Sequence, residues 1–179
     1  VERPASVVKE LIENSIDAEA SKIVINIAKA GKRLMSVSDN GGGIAKEDVL
    51  LAFERYATSK IIDEKDLFNI RTMGFRGEAL SSIAAVAKVT LSTARPDSIG
   101  TCLEITGGVI KEVRECSTVG TTIEIKDLFY NTPARRKFLK SDTTENHHII
   151  DTITRAALCN HIIGFDLIID GGNVLTLPP

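Results

Sequence analysis

The chain has 179 residues, a length that suits one domain with a hydrophobic core of its own. Hydrophobic residues make up 43% of the sequence and charged residues 26%, which excludes a disordered chain, and no apolar run approaches the length of a membrane span. Lysine and arginine (22) nearly balance aspartate and glutamate (24), so the net charge of −2 does not by itself indicate a nucleic-acid partner. Cys102, Cys116 and Cys159 have no metal-binding spacing, and we expect free thiols.

The first half of the chain begins with a predicted helix. Pro4 suits the first helical turn, and the residues after it predict a helix from about Ala5 to Asp17. Residues 21–39 alternate between apolar and polar side chains around a glycine, which predicts a β-hairpin. Residues 45–56 are predicted to be helical. Residues 57–76 show no period, and we expect a loop long enough to act as a lid.

The second half mixes helices with mostly adjacent strands. We predict a helix at 77–88, four strands at 89–94, 101–108, 109–116 and 121–128, helices at 132–140 and 144–161, and a closing hairpin at 165–177. This order lacks the strict alternation of strand and helix that a parallel sheet requires. It favours an α/β (α+β) two-layer sandwich.

The first helix places three polar residues on one face. At 100° per residue, Glu10, Asn14 and Asp17 fall in a sector about 60° wide, beside a broad apolar stripe. This face is either a solvated edge of an amphipathic helix or the edge of an active site. In a site, an acid can take a proton from water and an amide oxygen can bind a hard cation.

The segment DNGGGI (39–44) must be a turn, because three successive glycines do not hold a strand. It is either a flexible connection or a turn that brings the backbone close to a flat ligand. In the second case Asp39 can accept a hydrogen bond from the amine of a base.

A second glycine-rich segment, GFRGE (74–78), precedes a predicted helix. It is either an ordinary helix start or a site for phosphate at the positive end of a helix dipole. Neither a P-loop nor a dinucleotide-binding glycine motif occurs in the sequence.

These segments occur in a diagnostic order: KELIENSIDA (9–18), DNGGGI (39–44), ATSK (57–60), GFRGEAL (74–80), GTT (120–122) and DLFYNTPARRKFL (127–139). The chain thereby resembles the N-terminal ATPase domain of MutL-type DNA mismatch repair proteins. That family belongs to a superfamily with DNA gyrase B subunits, ninety-kilodalton heat-shock chaperones and sensor histidine kinases. The resemblance implies the Bergerat-type ATP-binding fold, a mixed, mostly antiparallel sheet with helices on one face.

The resemblance implies distinct roles along the first helix. Glu10 matches the general base that activates water for attack on the γ-phosphate of ATP. Asn14 matches the residue whose amide oxygen binds Mg²⁺. Asp17 and Ala18 line the same pocket.

The base and the phosphates have their own implied residues. Asp39 matches the carboxylate that binds the adenine amine, with Gly43 and Ile44 beside it and Thr121 supporting the pocket. The implied lid around the phosphates consists of Ala57, Thr58, Ser59, Lys60, Gly74, Arg76, Gly77, Glu78, Ala79 and Leu80.

The resemblance also implies a switch and partners. We expect ATP-driven self- or paralogue dimerisation, a mismatch-recognition partner of the MutS type, DNA contact through the intact protein and no membrane. We expect residues 1–179 to form one ATP-binding domain, truncated at its N-terminus and lacking the second domain and the C-terminal dimerisation region. The compartment is cytoplasmic for a bacterial or archaeal source and nuclear for a eukaryotic one.

Two alternatives stay open. The chain is either an ATPase or a nucleotide-gated interaction module with little turnover of its own. A chaperone or topoisomerase relative would use the same pocket, and NTPARRKFL (131–139) is the feature against it.

Overall fold

The computed structural model describes residues 1–54 and 79–179. In these two ranges the chain forms one eight-stranded sheet and four α-helices. The helices are α1 (Pro4–Asp17), α2 (Ala79–Ala84), α3 (Pro133–Phe138) and α4 (Asp142–Cys159). The strands are β1 (Lys22–Ala28), β2 (Leu34–Asp39), β3 (Lys88–Ala94), β4 (Gly100–Thr106), β5 (Val109–Cys116), β6 (Gly120–Lys126), β7 (Gly164–Ile169) and β8 (Gly172–Leu177).

The sheet is mixed and mostly antiparallel. Its strand order is β5-β4-β3-β6-β2-β1-β7-β8, and β1 with β7 is its parallel pair. The connection from β1 to β7 spans most of the sequence, whereas the hairpins β1–β2, β3–β4, β4–β5 and β7–β8 are local. The predicted sheet class is confirmed.

Helices α1 and α2 pack on one face of this sheet, and α4 packs against α1. The register of the strands aligns a continuous apolar row on that face, and its buried members are Leu167, Ile25, Val37, Ile123, Leu91 and Leu103. Each such side chain contributes about 1.5–3 kcal/mol on burial. The opposite face aligns polar residues such as Asn26, Ser36 and Glu124. The alternation along each strand therefore separates a helix-covered face from a polar one.

Helix α1 packs on the sheet and against α4. Its start is fixed by the turn between β1 and β2, because a Cβ at Gly31 would lie 2.7 Å from the Cβ of Pro4. The apolar stripe predicted for this helix is confirmed, since Val7, Val8 and Leu11 are buried. Its C-terminal end points to the edge of the sheet where β2 ends and β6 begins.

The predicted helix at 45–56 is wrong for the described residues 45–54. They form two 3₁₀ turns, Lys46–Asp48 and Leu51–Phe53. Val49 is buried, whereas Leu50 and Leu51 are 43% and 47% exposed. With both leucines exposed, the segment buries too little apolar surface to stabilise a longer helix.

The predicted helix at 77–88 ends early, at Ala84. The carbonyl oxygens of Ala84, Val86 and Ala87 accept hydrogen bonds from Gly108, Phe129 and Gly107, respectively. These non-helical partners draw the chain out of the helix and into β3. Residues 77 and 78 lie outside the described ranges.

The other predicted helices and strands are confirmed, including the two later helices and the closing hairpin. The loop predicted at 57–76 lies outside the described residues. The three cysteines are free, as expected. No helix of the described residues is long and apolar enough to cross a membrane.

A substitution at Gly120 tests how closely β6 approaches the end of β2. Gly120 has φ +66°, and a Cβ there would overlap the carbonyl oxygen of Asp39. We expect Gly120→Ala to lower the free energy of unfolding by about 3 kcal/mol or more, because conformational strain and overlap add. Urea denaturation monitored by circular dichroism measures this change.

Gly171→Ala is the matched control, because Gly171 has φ +84° and open space around its Cα. It should lower the free energy of unfolding by only about 1 kcal/mol, the cost of placing alanine at a positive φ. Equal losses in the two variants would show that the approach of β6 to β2 is not tight.

Candidate nucleotide-binding site

The candidate site is centred on Asp39, the last residue of β2. Three donors hold its carboxylate. Ser15 Oγ lies 2.8 Å from Oδ2, and the backbone N–H groups of Gly41 and Thr121 lie 2.9 and 3.3 Å from Oδ1. The donors belong to α1, the glycine turn and β6. Asp39 therefore ties together three segments that are far apart in sequence.

Burial changes the acidity of this carboxyl. Asp39 is 8% exposed, and desolvation raises its pKa above the ordinary value of 3.8. The hydrogen bonds from Ser15, Gly41 and Thr121 oppose that shift without reversing it. Asp39 is thus a buried carboxylate whose charge is stabilised by hydrogen-bond donors.

A carboxylate has about four acceptor positions on its two oxygens. Among the described residues, donors fill two positions on Oδ1 and one on Oδ2. One acceptor position on Oδ2 remains for a donor from a ligand. An exocyclic amine is the kind of group that fits it.

The glycine turn is packed on its surroundings and is not a flexible connection. Gly42 N–H donates to the carbonyl oxygen of Ala18 at 2.9 Å, and a Cβ at Gly41 would lie 2.5 Å from that same oxygen. At Gly43, with φ +66°, a Cβ would overlap the carbonyl oxygen of Ala94. The turn is therefore in contact with the end of α1 on one side and the end of β3 on the other.

A hydroxyl pair extends the site across β6 to β3. Thr93 Oγ1 accepts from the N–H of Ile44 at 2.9 Å and lies 2.9 Å from Thr121 Oγ1. Asp39, Thr121 and Thr93 are lateral neighbours in the register of three adjacent strands. Their side chains form a polar row at the end of the otherwise apolar face.

The structure brings most predicted base-site residues together. Asp39, Thr121 and Ile44 are linked through the contacts above, with Gly43 in the same turn. Ala18 joins them as the C-terminal cap of α1. The base half of the predicted site is one connected cluster.

The other described site residues lie on helices. Glu10, Asn14 and Asp17 are partly buried along α1, on the helix that contributes Ser15 to the cluster. Ala79 and Leu80 begin α2, where Leu80 packs against the core. Eight predicted lid residues lie outside the described residues: Ala57, Thr58, Ser59, Lys60, Gly74, Arg76, Gly77 and Glu78.

Sequence reasoning missed Ser15 and Thr93. Both could be found from the apolar periodicity of their elements, because each is a polar residue at a position that faces the core. Ser15 lies between Leu11 and Ile12 in angle on the apolar stripe of α1, and Thr93 continues the inward series of β3. A polar residue at such a position requires a buried partner.

A family model described as histidine kinase-, DNA gyrase B- and HSP90-like ATPase matches residues 2–135. The chain belongs to this ATPase family. The match covers every described element from α1 to β6, including the whole Asp39 cluster.

Similar proteins within the family are of the MutL type. The chain is 52% identical to the DNA mismatch repair protein MutL of Dictyoglomus thermophilum, over 99% of this chain and 31% of that protein. It is 54% identical to the MutL of Thermodesulfovibrio yellowstonii, over 99% of this chain and 33% of that protein. The chain thus spans about a third of the length of these curated relatives.

A solved structure shares the fold. The Aquifex aeolicus MutL ATPase domain complexed with ADP superposes with a TM-score of 0.81 at 38% identity, covering 99% of this chain and 64% of that one. The predicted recognition and the predicted ATP-binding fold are therefore confirmed.

Asp39 makes a pH-dependent contribution to the stability of this ATPase domain. Because its folded pKa is raised, the stabilisation from its bound proton is full below the unfolded value and is lost as the pH rises through the folded value. We expect Asp39→Asn to raise the free energy of unfolding at pH 7, with a gain that shrinks as the pH falls toward about 4. Asparagine keeps the two backbone bonds and can donate to Ser15, whose own proton then goes to the Leu11 carbonyl oxygen, 3.1 Å away. Urea denaturation between pH 4 and 8 measures the difference.

Asp142→Asn is the control, because the pKa of Asp142 is shifted in the opposite direction to that of Asp39. A hydrogen bond from Lys32 lowers the pKa of Asp142, so its contribution is present above the ordinary value and is lost as the pH falls. This variant should gain nothing at pH 7. If Asp39→Asn instead lost stability at pH 7, the donors and not burial would dominate at Asp39.

Proposed function

We propose that the chain binds and hydrolyses ATP as the N-terminal ATPase domain of a MutL-like mismatch repair protein. The observation that supports this most directly is the Asp39 carboxylate, held by three donors with one acceptor position left for a base amine. Ser15 joins this carboxylate to α1, the helix that also carries Glu10, Asn14 and Asp17. The complex of the similar Aquifex aeolicus ATPase domain with ADP supports an adenine nucleotide as the ligand.

Glu10 is the proposed general base. It lies on α1 about 10 Å along the axis from Asp17, at 1.5 Å per residue, so one helix can span a nucleotide from its base to its phosphates. Glu10 is partly exposed, so water can reach its carboxylate. A carboxylate in that position orients an attacking water and accepts its proton.

Asn14 is the proposed magnesium ligand. Among the described residues no cluster of three or more His, Cys, Asp or Glu side chains could hold a metal. That suits Mg²⁺, which keeps several waters and binds one or two protein oxygens together with substrate phosphates. The residues that would hold the ion on α1 offer hard oxygens, from the amide of Asn14 and the carboxylate of Glu10. When bound, Mg²⁺ neutralises charge on the phosphates, while Asn14 fixes its position.

Asp17 and Ala18 form the wall between the two halves of the proposed site. Ala18 accepts from Gly42 in the turn, so the end of α1 and the base pocket keep a fixed spacing. The lid proposed at 57–60 and 74–80 would close over the phosphates. Its first described residues, Ala79 and Leu80, begin α2.

Calorimetric titration with ATP and Mg²⁺, combined with phosphate release, tests both halves of the site. Glu10→Gln should bind ATP within about threefold of the original affinity but lose hydrolysis by at least about 100-fold, because only water activation is removed. Asp39→Asn should weaken ATP binding by at least about tenfold, because the charged acceptor for the amine is lost.

Glu13→Gln is the matched control on the same helix. Glu13 is buried and pairs with Lys9 at 2.8 Å, outside the sector of Glu10. Its substitution should leave turnover unchanged. Hydrolysis at the original rate by Glu10→Gln would exclude Glu10 as the base, and equal ATP affinity of Asp39→Asn would exclude the adenine contact.

We further propose that ATP drives self- or paralogue dimerisation, and that the intact protein works with a MutS-type partner and DNA. The names of the curated relatives, DNA mismatch repair protein MutL, support this role. An adenine site at the end of α1 gives nucleotide binding a direct contact with the helical layer.

Size-exclusion chromatography with light scattering tests the switch. A non-hydrolysable ATP analogue with Mg²⁺ should double the measured mass of the full chain, because nucleotide binding orders the dimer surface. Asp39→Asn should stay at the mass of a monomer at the same concentration of analogue. A constant monomer for the original chain at saturating analogue would contradict the switch.

A further inference from the structure

In the polar row Asp39–Thr121–Thr93, the direction of the hydrogen bond between the two threonine hydroxyls can be assigned. Thr93 and Thr121 are paired across β3 and β6, and their hydroxyl oxygens lie 2.9 Å apart. Distance alone does not say which hydroxyl donates. The surroundings of Thr93 decide it.

Thr93 is 1% exposed, so its hydroxyl must find its partners inside the protein. A hydroxyl has one proton and two acceptor positions. One acceptor position takes the N–H of Ile44 at 2.9 Å. Among the described residues, Thr121 Oγ1 is then the acceptor within reach of the Thr93 proton.

The reverse direction is unfavourable. If Thr121 donated to Thr93, the Thr93 proton would be buried with no acceptor in the described ranges 1–54 and 79–179, and such an orphaned donor is costly. Thr93 therefore donates and Thr121 accepts. The proton of Thr121 is left to point away from Thr93.

Thr121 and Asp39 are the two members of the row with residual exposure, 8% each. Thr121 also donates its backbone N–H to Asp39 Oδ1, which keeps the two side chains side by side. A ligand at this edge therefore meets a carboxylate acceptor next to a hydroxyl donor.

We propose that Thr93 is a positioning residue for base selection: by donating to Thr121 it makes that hydroxyl a donor toward the ligand, so that the pair with Asp39 selects an adenine-type edge. The proposal rests on the nucleotide-binding function proposed above and specifies how the base is chosen.

The hydrogen-bonding edges of the bases explain why this pair of groups would prefer adenine to guanine. Adenine presents an amine donor beside a ring-nitrogen acceptor, which matches an acceptor beside a donor. Guanine presents a carbonyl acceptor beside a ring N–H donor, which mismatches both groups. One bridging water between Thr121 and the ring preserves this polarity, because a water that accepts from Thr121 donates onward.

A ligand-by-variant comparison tests the coupling. We titrate the full chain and two variants, Thr93→Val and Thr93→Ser, with ATP and with 1-deaza-ATP, in which a C–H replaces the ring-nitrogen acceptor. The full chain should prefer ATP by about tenfold. Thr93→Ser keeps the hydroxyl and should keep that ratio. Thr93→Val should reduce the ratio to about threefold or less, because its Thr121 proton can turn away from the ring.

A merely structural role would lower the affinity of Thr93→Val for both nucleotides equally. An unchanged ratio therefore overturns the proposal while leaving nucleotide binding intact. Absence of ATP binding by the full chain would instead overturn the proposed function, and this proposal with it.

A second measurement uses the unsubstituted chain and so does not depend on the folding of Thr93→Val. Purine riboside triphosphate and its 1-deaza analogue both lack the amine, but the first keeps the ring acceptor and the second has a C–H in its place. The first should bind at least about tenfold more tightly. Equal or reversed affinities would show that Thr121 does not act as a donor.

Discussion

The architecture of the site depends on how the buried Asp39 carboxylate is satisfied. A charge in that position requires donors from its surroundings, and it obtains them from α1, the glycine turn and β6. The helix layer, the sheet edge and the turn must all be in place before those donors converge. The same interaction that stabilises the carboxylate therefore also fixes the position of α1, the helix with the proposed catalytic face.

Close backbone approaches make this convergence possible. Gly41 and Gly43 lie where side chains would collide with the carbonyl oxygens of Ala18 and Ala94, and Gly120 lies against that of Asp39. The turn can thus bring its N–H groups to Asp39 and Ala18 while Ile44 reaches Thr93. Glycine is needed here for proximity more than for flexibility.

Local patterns in the sequence predicted the elements but not their connections. The strands of the sheet and the long helices α1 and α4 have a clear period, and the structure has them where that period indicates. The segment after the glycine turn does not form the predicted helix, because most of its consecutive apolar residues stay partly or fully exposed while Val49 is buried. The early end of α2 depends on hydrogen bonds from Gly107, Gly108 and Phe129, which no local pattern contains.

For the candidate site, a family motif points to Asp39 and Thr121, which the structure brings into contact. The site was not predictable where a common residue gains a role from its partner. Ser15 contacts Asp39 across 24 residues, and Thr93 contacts Thr121 across 28. Serine and threonine at inward positions indicate that a partner exists, but only the fold identifies it.

Two carboxylates at opposite ends of the proposed nucleotide site differ in what they can do. Asp39 has three of its acceptor positions filled and is nearly buried, so it can recognise a donor but has little freedom to exchange protons with water. Glu10 is partly exposed on a rigid helix, where water can approach it and where its position is set by packing on the opposite face of α1. Recognition needs an acceptor with fixed neighbours, and water activation needs one that solvent can reach. The environment, and not the shared carboxyl chemistry, therefore distinguishes the two proposed roles, one on α1 and one at the end of β2.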